Sequence, residues 1–156
     1  MFLYWIDRHI SINGTNTKVR IAGASEPDIS DFPFLKTIDL GGMICLEEKA
    51  NSAELATLLD IPYFHSPIFD YDVPTEDALE RIIEFYNECQ EASPKLPVLI
   101  HCTAGHGRTG TVIAAILVVL DQISSEEAIR RVREVNPLAI ENEAQERLIH
   151  SLNSRK

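Results

Sequence analysis

Apolar and polar positions alternate or cluster along this chain in segments short enough to name one by one. Near the start, "FLYWI" and "KVRIAG" are compact runs rich in aromatic and β-branched residues, and both are predicted as strands. "GMICLE" (42–47) reads as a buried strand and "PYFHSPI" (62–68) as another. Between these two, "NSAELATLLD" sets Leu55, Leu58 and Leu59 at helical spacing behind an Asn51/Ser52 cap. Parallel strands need a crossover of a dozen or so residues, so this segment is predicted as the helix of a βαβ unit.

The second half repeats the alternation. "FDYDVPTED" is a loop, and Thr75 caps a helix that carries Leu79, Ile82, Ile83, Tyr86 and Cys89 on one face, ending before the prolines of "SPKLP". "PVLIHC" has the unbroken apolar character of a central parallel strand, and it leads through a glycine-rich turn into an apolar helix from Thr109 to Leu120. "SSEEAIRRVREVN" opens with a Ser124/Glu127 box and stops before Pro137; a last helix around Glu141 to Leu152 buries Leu148, Ile149 and Leu152. The expected fold is a single α/β domain over residues 1–156, with a central twisted, mostly parallel sheet flanked by helices.

Composition narrows the setting. At 156 residues, 45% hydrophobic and 24% charged, the chain fits one domain with one substantial core. The longest apolar run, Val112 to Leu120, is far short of the roughly 20 residues that span a bilayer. The N-terminal segment has no basic leader and is broken by Asp7 and Arg8, unlike a signal peptide. Three cysteines at irregular spacing make no disulfide framework. These features predict a cytoplasmic protein, a monomer with no membrane partner. A formal net charge of −10 argues against nucleic acid or an anionic membrane as partner, so any recognition of phosphate must be local.

The candidate chemistry lies in "HCTAGHGRTG" (101–110), whose second half spells the dinucleotide fingerprint G-x-G-x-x-G. A strand that ends in a glycine-rich turn and opens a helix gathers backbone N–H groups around a point that favours an anion. A dinucleotide site would also need a second strand and an acidic residue about 20 positions on; here Asp121 and another helix follow. A nucleotide-binding P-loop would need Gly-Lys-Ser/Thr, which this loop lacks. Neither reading explains Cys102 at the strand end and Arg108 at the helix start. Such a ring of amide donors favours a thiolate over a thiol. A guanidinium folding back over it offers a planar fork to two phosphate oxygens.

These residues resemble the signature His-Cys-x-x-Gly-x-x-Arg-Ser/Thr of the cysteine-dependent protein tyrosine phosphatases. The Ala-Gly pair and the Arg-Thr-Gly ending are most like the dual-specificity branch and its compact archaeal-type members. The resemblance implies that Cys102 attacks phosphorus, that Thr109 hydrogen-bonds the sulfur and helps it leave, and that His101 organises the loop from behind. It implies that Thr103, Ala104, Gly105, His106, Gly107 and Arg108 hold the phosphate oxygens. It also places a general acid four positions before a Pro-Ser/Thr pair, which is Asp70 before Pro74-Thr75, with Asp72 as the alternative. The loop departs from the Trp-Pro-Asp of receptor-like tyrosine phosphatases, again in the direction of the compact branch. Further on, Gln145 falls where the family positions water, while Asn136 stands in place of the usual Arg and Glu141 where some members have Gln.

Plainer readings suit the remaining candidates. Cys45 and Cys89 are expected as small buried hydrophobes, and His65 as a packing or hydrogen-bonding residue in its strand. His101, Cys102 and His106 lack a second Cys/His pair nearby, so no metal and no cofactor is expected. The function predicted is hydrolysis of phosphotyrosine, and of phosphoserine and phosphothreonine, in phosphorylated protein substrates. The rivals are a phosphoinositide or inositol phosphate phosphatase using the same loop, and an idle phosphate-binding module.

Overall fold

The computed structural model describes residues 1–153, and among these lie five strands and six helices. Strands β1 (Leu3–Ile12) and β2 (Thr15–Ala24) pair antiparallel in full register from Leu3 opposite Ala24 to Ile12 opposite Thr15. The two apolar runs of the sequence are the inner ends of these longer strands. They are joined by Asn13 and Gly14, both with positive φ, the conformation a two-residue hairpin turn of this kind demands.

A short 3-10 turn (Ile29–Asp31), capped by Asp28, leads into α1 (Phe32–Ile38), a helix too short for its periodicity to show. Then come β3 (Gly42–Cys45), α2 (Ala53–Leu59) and β4 (Tyr63–His65), with β3 and β4 parallel as the βαβ reading requires. Helix α3 (Glu76–Ala92) is capped by the Thr75 hydroxyl, which accepts from the Ala78 N–H, and it buries the predicted face from Leu79 to Cys89. Strand β5 (Val98–His101) feeds α4 (Gly107–Asp121); α5 (Ser125–Val135) and α6 (Glu143–Ser151) follow, capped by Ser124 and Asn142. Of the stripe expected on the last helix, Ile149 is fully buried, and Leu148 and Leu152 pack partly buried against the same core.

The sheet order is β1-β2-β5-β3-β4, and every pairing except β1 with β2 is parallel. One face packs on α1 and α2 through Ala22, Met43 and Leu99; the other packs on α3, α4 and the helices behind them through Ile21, Ile44 and Ile100. Strand β5, covered on both faces, is therefore apolar at every position before His101. Helix α4 is buried on nearly all sides, as its apolar run predicts. Arg8 pins β1 to this core: its guanidinium pairs with Asp121 at the end of α4, and its Nη1 donates to the Tyr86 hydroxyl on α3. The parallel strands point their carboxyl ends at one edge, where the loops after β3, β4 and β5 converge, the usual place for a ligand in such sheets.

Candidate active site

Residues 102–106 leave β5 and turn directly into α4. Gly105 has φ +87, and a Cβ there would stand 2.7 Å from the Ala24 carbonyl carbon and the Ser25 nitrogen, so conformation and space both call for glycine. Its N–H donates to the Cys102 Sγ at 3.3 Å, and its carbonyl accepts the buried Tyr4 hydroxyl at 3.0 Å. Neighbouring chain holds the rest: the Glu26 N–H donates to the Thr103 carbonyl and the Leu46 N–H to the His101 carbonyl, each at 2.9 Å. The His106 carbonyl accepts from both Gly110 and Ile140, and its ring Nδ1 is 3.0 Å from the Asn136 Nδ2. Asn136, which departs from the family pattern, thus fixes the middle of the loop.

Arg108 does fold back, with its side chain only 2% exposed. Its Nη1 donates to the Glu48 carboxylate at 2.7 Å and to the Ile68 carbonyl at 2.8 Å; its Nη2 donates to the Thr103 hydroxyl at 3.2 Å. The Nε is buried with no hydrogen-bond partner among the described residues. An orphaned buried donor costs about 1–3 kcal/mol, and here it shares an edge of the guanidinium with Nη2. That edge is a fork for two oxygens of a tetrahedral anion.

Beneath the loop, His101 is fully buried. Its Nε2 is 2.6 Å from the Ser52 hydroxyl, its Nδ1 is 3.3 Å from the Cys102 carbonyl, and burial drives its pKa down to about 4, so the ring is neutral near pH 7. Ser52 stands where a helix cap is expected, but its side chain makes no cap hydrogen bond and serves His101 instead. Glu47 accepts from the Thr103 hydroxyl through one oxygen, while the other is buried without a partner among the described residues, 3.8 Å from His101 Nδ1; burial raises its pKa. Cys45, Glu47 and His101 bring ligand atoms within 4.8 Å of one another, a donor set that could take a metal ion, but both His101 ring nitrogens and one of the two Glu47 oxygens are already engaged with the loop's own support. Cys45 and Cys89 are buried free thiols as expected, and His65 hydrogen-bonds the Glu47 carbonyl.

The loop after β4 separates the two acid candidates. Asp70 is 59% exposed, its Oδ1 lies 3.5 Å from Arg108 Nη2, and the same oxygen accepts the Tyr71 N–H. Asp72 instead turns its carboxylate onto the Val73 N–H of its own loop. Gln145 is buried, accepting from the Glu141 N–H at 2.8 Å and donating to the Asp72 carbonyl at 3.3 Å. With Glu141 it crowds the space above Gly107, where a Cβ would meet both within 3.1 Å. Thr109 departs from expectation in detail: its buried hydroxyl has no partner among the described residues, and the hydrogen bond to the Cys102 sulfur comes from the Gly105 N–H. An open cleft of about 800 Å³ beside the loop is lined by Ala104, His106, Tyr71 and Leu138, among others.

Sequence reasoning misses Glu47, Glu48, Ser52 and Tyr4 as site residues. "CLEEK" stands directly after a parallel strand, so the carboxyl-end rule could have flagged its two glutamates; nothing local marks Tyr4 or Ser52.

Residues 18–122 match the family model described as "Polymorphic toxin system, DSP-PTPase phosphatase". The chain belongs to this phosphatase family. The phosphatase is 33% identical over 138 residues to the uncharacterized protein MJECL20 of Methanocaldococcus jannaschii, covering 86% of this chain and 90% of that one. It is 26% identical over 141 residues to the human dual specificity protein phosphatase CDC14C, covering 86% of this chain but 30% of that protein. It spans 63% of the uncharacterized protein MJ0215 of the same organism as MJECL20 and 34% of the putative tyrosine phosphatase 197R of Invertebrate iridescent virus 6. The crystal structure of Tk-PTP in the active form superposes with TM-score 0.74 at 28% identity, covering 83% of this chain and 88% of Tk-PTP. PTPMT1 in complex with PI(5)P shares the fold at 21% identity and TM-score 0.74, covering 83% of this chain and 87% of PTPMT1. Among the described residues no helix is long and apolar enough to cross a membrane.

Proposed function

We propose that this phosphatase hydrolyses phosphotyrosine, and phosphoserine and phosphothreonine, in protein substrates through a cysteinyl-phosphate on Cys102. The observation that carries the reading is the loop that puts the Cys102 sulfur under an amide N–H and folds Arg108 back with an unpartnered Nε. The sulfur attacks phosphorus, the P–O bond to the substrate breaks, and Asp70 protonates the departing oxygen. Water then attacks the cysteinyl-phosphate, Asp70 takes its proton, and the S–P bond breaks to release phosphate. The N–H groups from Thr103 to Arg108 and the Arg108 fork hold the equatorial oxygens. Thr109, with its buried free hydroxyl, is assigned to the sulfur as it leaves, and Gln145 to the attacking water. In this reading the enzyme is a cytoplasmic monomer that needs no cofactor.

The fold shared with PTPMT1, solved with PI(5)P, favours a phosphoinositide as the second reading. Against it stand Glu48 and Asp70 at Arg108 and Glu47 beside them, carboxylates that repel a ligand with several phosphates. The loop's central position holds His106, tied to Asn136, where a lysine or arginine would suit so highly charged a ligand better. Phosphotyrosine and phosphothreonine peptides assayed against soluble phosphoinositides decide the matter: release of phosphate from the peptides is expected, and release from the lipids alone overturns the reading.

A further inference from the structure

We infer that Asn142 is a positioning residue for the Asp70 loop, a latch that doubles as the cap of α6; this rests on the proposed role of Asp70. The Asn142 Oδ1 accepts the Gln145 N–H at 2.9 Å as an ordinary N-cap, and its Nδ2 donates to the Tyr71 carbonyl at 2.8 Å. One oxygen-accepting and one nitrogen-donating contact fix which way the amide points. Tyr71 sits at φ +64, a strained conformation for a non-glycine residue, and its carbonyl is the one Asn142 holds. The capped residue, Gln145, holds the next carbonyl, that of Asp72. Two successive carbonyls of the loop are therefore fastened by one helix terminus.

Asp70, just before them, is mostly exposed, and among the described residues it touches the site only through Arg108. The other hydrogen bonds of this loop's amides run within the loop itself: Asp72 N–H to the Phe69 carbonyl, Tyr71 N–H to Asp70, Val73 N–H to Asp72. They shape the turn but do not place it. The fastening to α6 ties the turn to the body of the protein, and with it the carboxyl group that must meet the leaving oxygen.

Cap and latch separate in a single substitution. Asn142→Asp keeps an oxygen for the Gln145 N–H, and a carboxylate suits a helix N-terminus, but it cannot donate to Tyr71. On phenyl phosphate, whose leaving group needs a proton, kcat/KM should fall about three- to tenfold, the worth of one hydrogen bond. On p-nitrophenyl phosphate, whose leaving group does not, it should hold, and so should the melting temperature. In an Asp70→Ala background the substitution should cost nothing further. Amides of Tyr71 to Val73 should exchange faster with solvent while those of α6 do not. Equal losses on both esters, no loss on either, or full additivity with Asp70→Ala overturns the latch. A wild type that hydrolyses neither ester overturns the proposed function instead, and the exchange rates then decide the latch alone: unchanged rates at Tyr71 to Val73 refute it.

Discussion

The loop from Cys102 to His106 and the loop from Phe69 to Val73 meet at the Arg108 guanidinium, one built into the core and the other laid over it. The first is held by backbone hydrogen bonds to Glu26, Leu46 and Ile140, by the Tyr4 hydroxyl, and from below by His101 and Glu47. The second leaves Phe69 and Tyr71 72% and 64% exposed, and it is joined to the rest of the protein by Asn142, Gln145 and the contact of Asp70 with Arg108. The difference follows from the tasks. Charge that develops on phosphorus is best met by dipoles that need not reorganise, whereas a proton donor must let substrate in and product out.

The comparison breaks most severely if the fixed loop proves dispensable. Cys102→Ser should lower turnover by at least about 10⁴-fold, because the covalent step vanishes, while circular dichroism stays native. Arg108→Lys should cost about 10²–10³-fold in kcat/KM: a point charge cannot keep Glu48, Ile68 and Thr103 and still offer two parallel donors to phosphate. Near-wild-type rates on phosphotyrosine peptide for either variant would end the proposed mechanism.

Next in size is the contrast inside the exposed loop. Asp70→Ala should cost about 10²-fold on phenyl phosphate and little on p-nitrophenyl phosphate, the mark of a lost general acid. Asp72→Ala, which removes only a side-chain acceptor for the Val73 N–H, should stay within a few-fold on both. The reverse pattern moves the acid to Asp72.

How much of this is legible in the sequence divides along similar lines. Cys102 and Arg108 can be found because the strand, turn and helix that carry them are contiguous, so spacing alone implies proximity. The same contiguity exposes the βαβ unit around α2 and the capped face of α3. Asp70 can be reached through resemblance, but its distinction from Asp72 rests on where a flexible carboxylate turns, which no spacing encodes. Helix α1 escapes because its apolar stripe is only seven residues long and begins beside a proline. The hairpin turn is written plainly in Asn13-Gly14, yet the polar outer halves of both strands hide their length. Glu48, Ser52 and Tyr4 reach the loop across 60, 49 and 101 positions of sequence, so only the folded sheet brings them together. Ser52 adds a further lesson: a good capping residue in capping position can be recruited by a stronger partner.

The smallest effect expected is on stability, and it tests whether the loop's support is as rigid as the contrast supposes. Burial holds His101 at about 4 against an ordinary value of 6.5. Above about pH 6.5 the ring is neutral in folded and unfolded chains alike and makes no difference. Between 6.5 and 4 the unfolded chain binds a proton that the folded one refuses, so stability falls as pH falls. Each tenfold step in proton concentration across that window costs about 1.4 kcal/mol, so the loss is about 2 kcal/mol by pH 5, roughly 4–8 °C in melting temperature for a chain of this size. Glu47, whose pKa is raised by burial, works in the opposite direction as the solution becomes acidic, because the folded chain accepts its proton sooner. His101→Gln removes the ring's titration and leaves that of Glu47, keeping a side chain able to bond Ser52. Wild type should therefore lose about 2 kcal/mol more than His101→Gln between pH 7 and pH 5 in urea unfolding. Equal losses would mean that the folded chain admits the proton, and that the ground beneath Cys102 yields as readily as the loop above it.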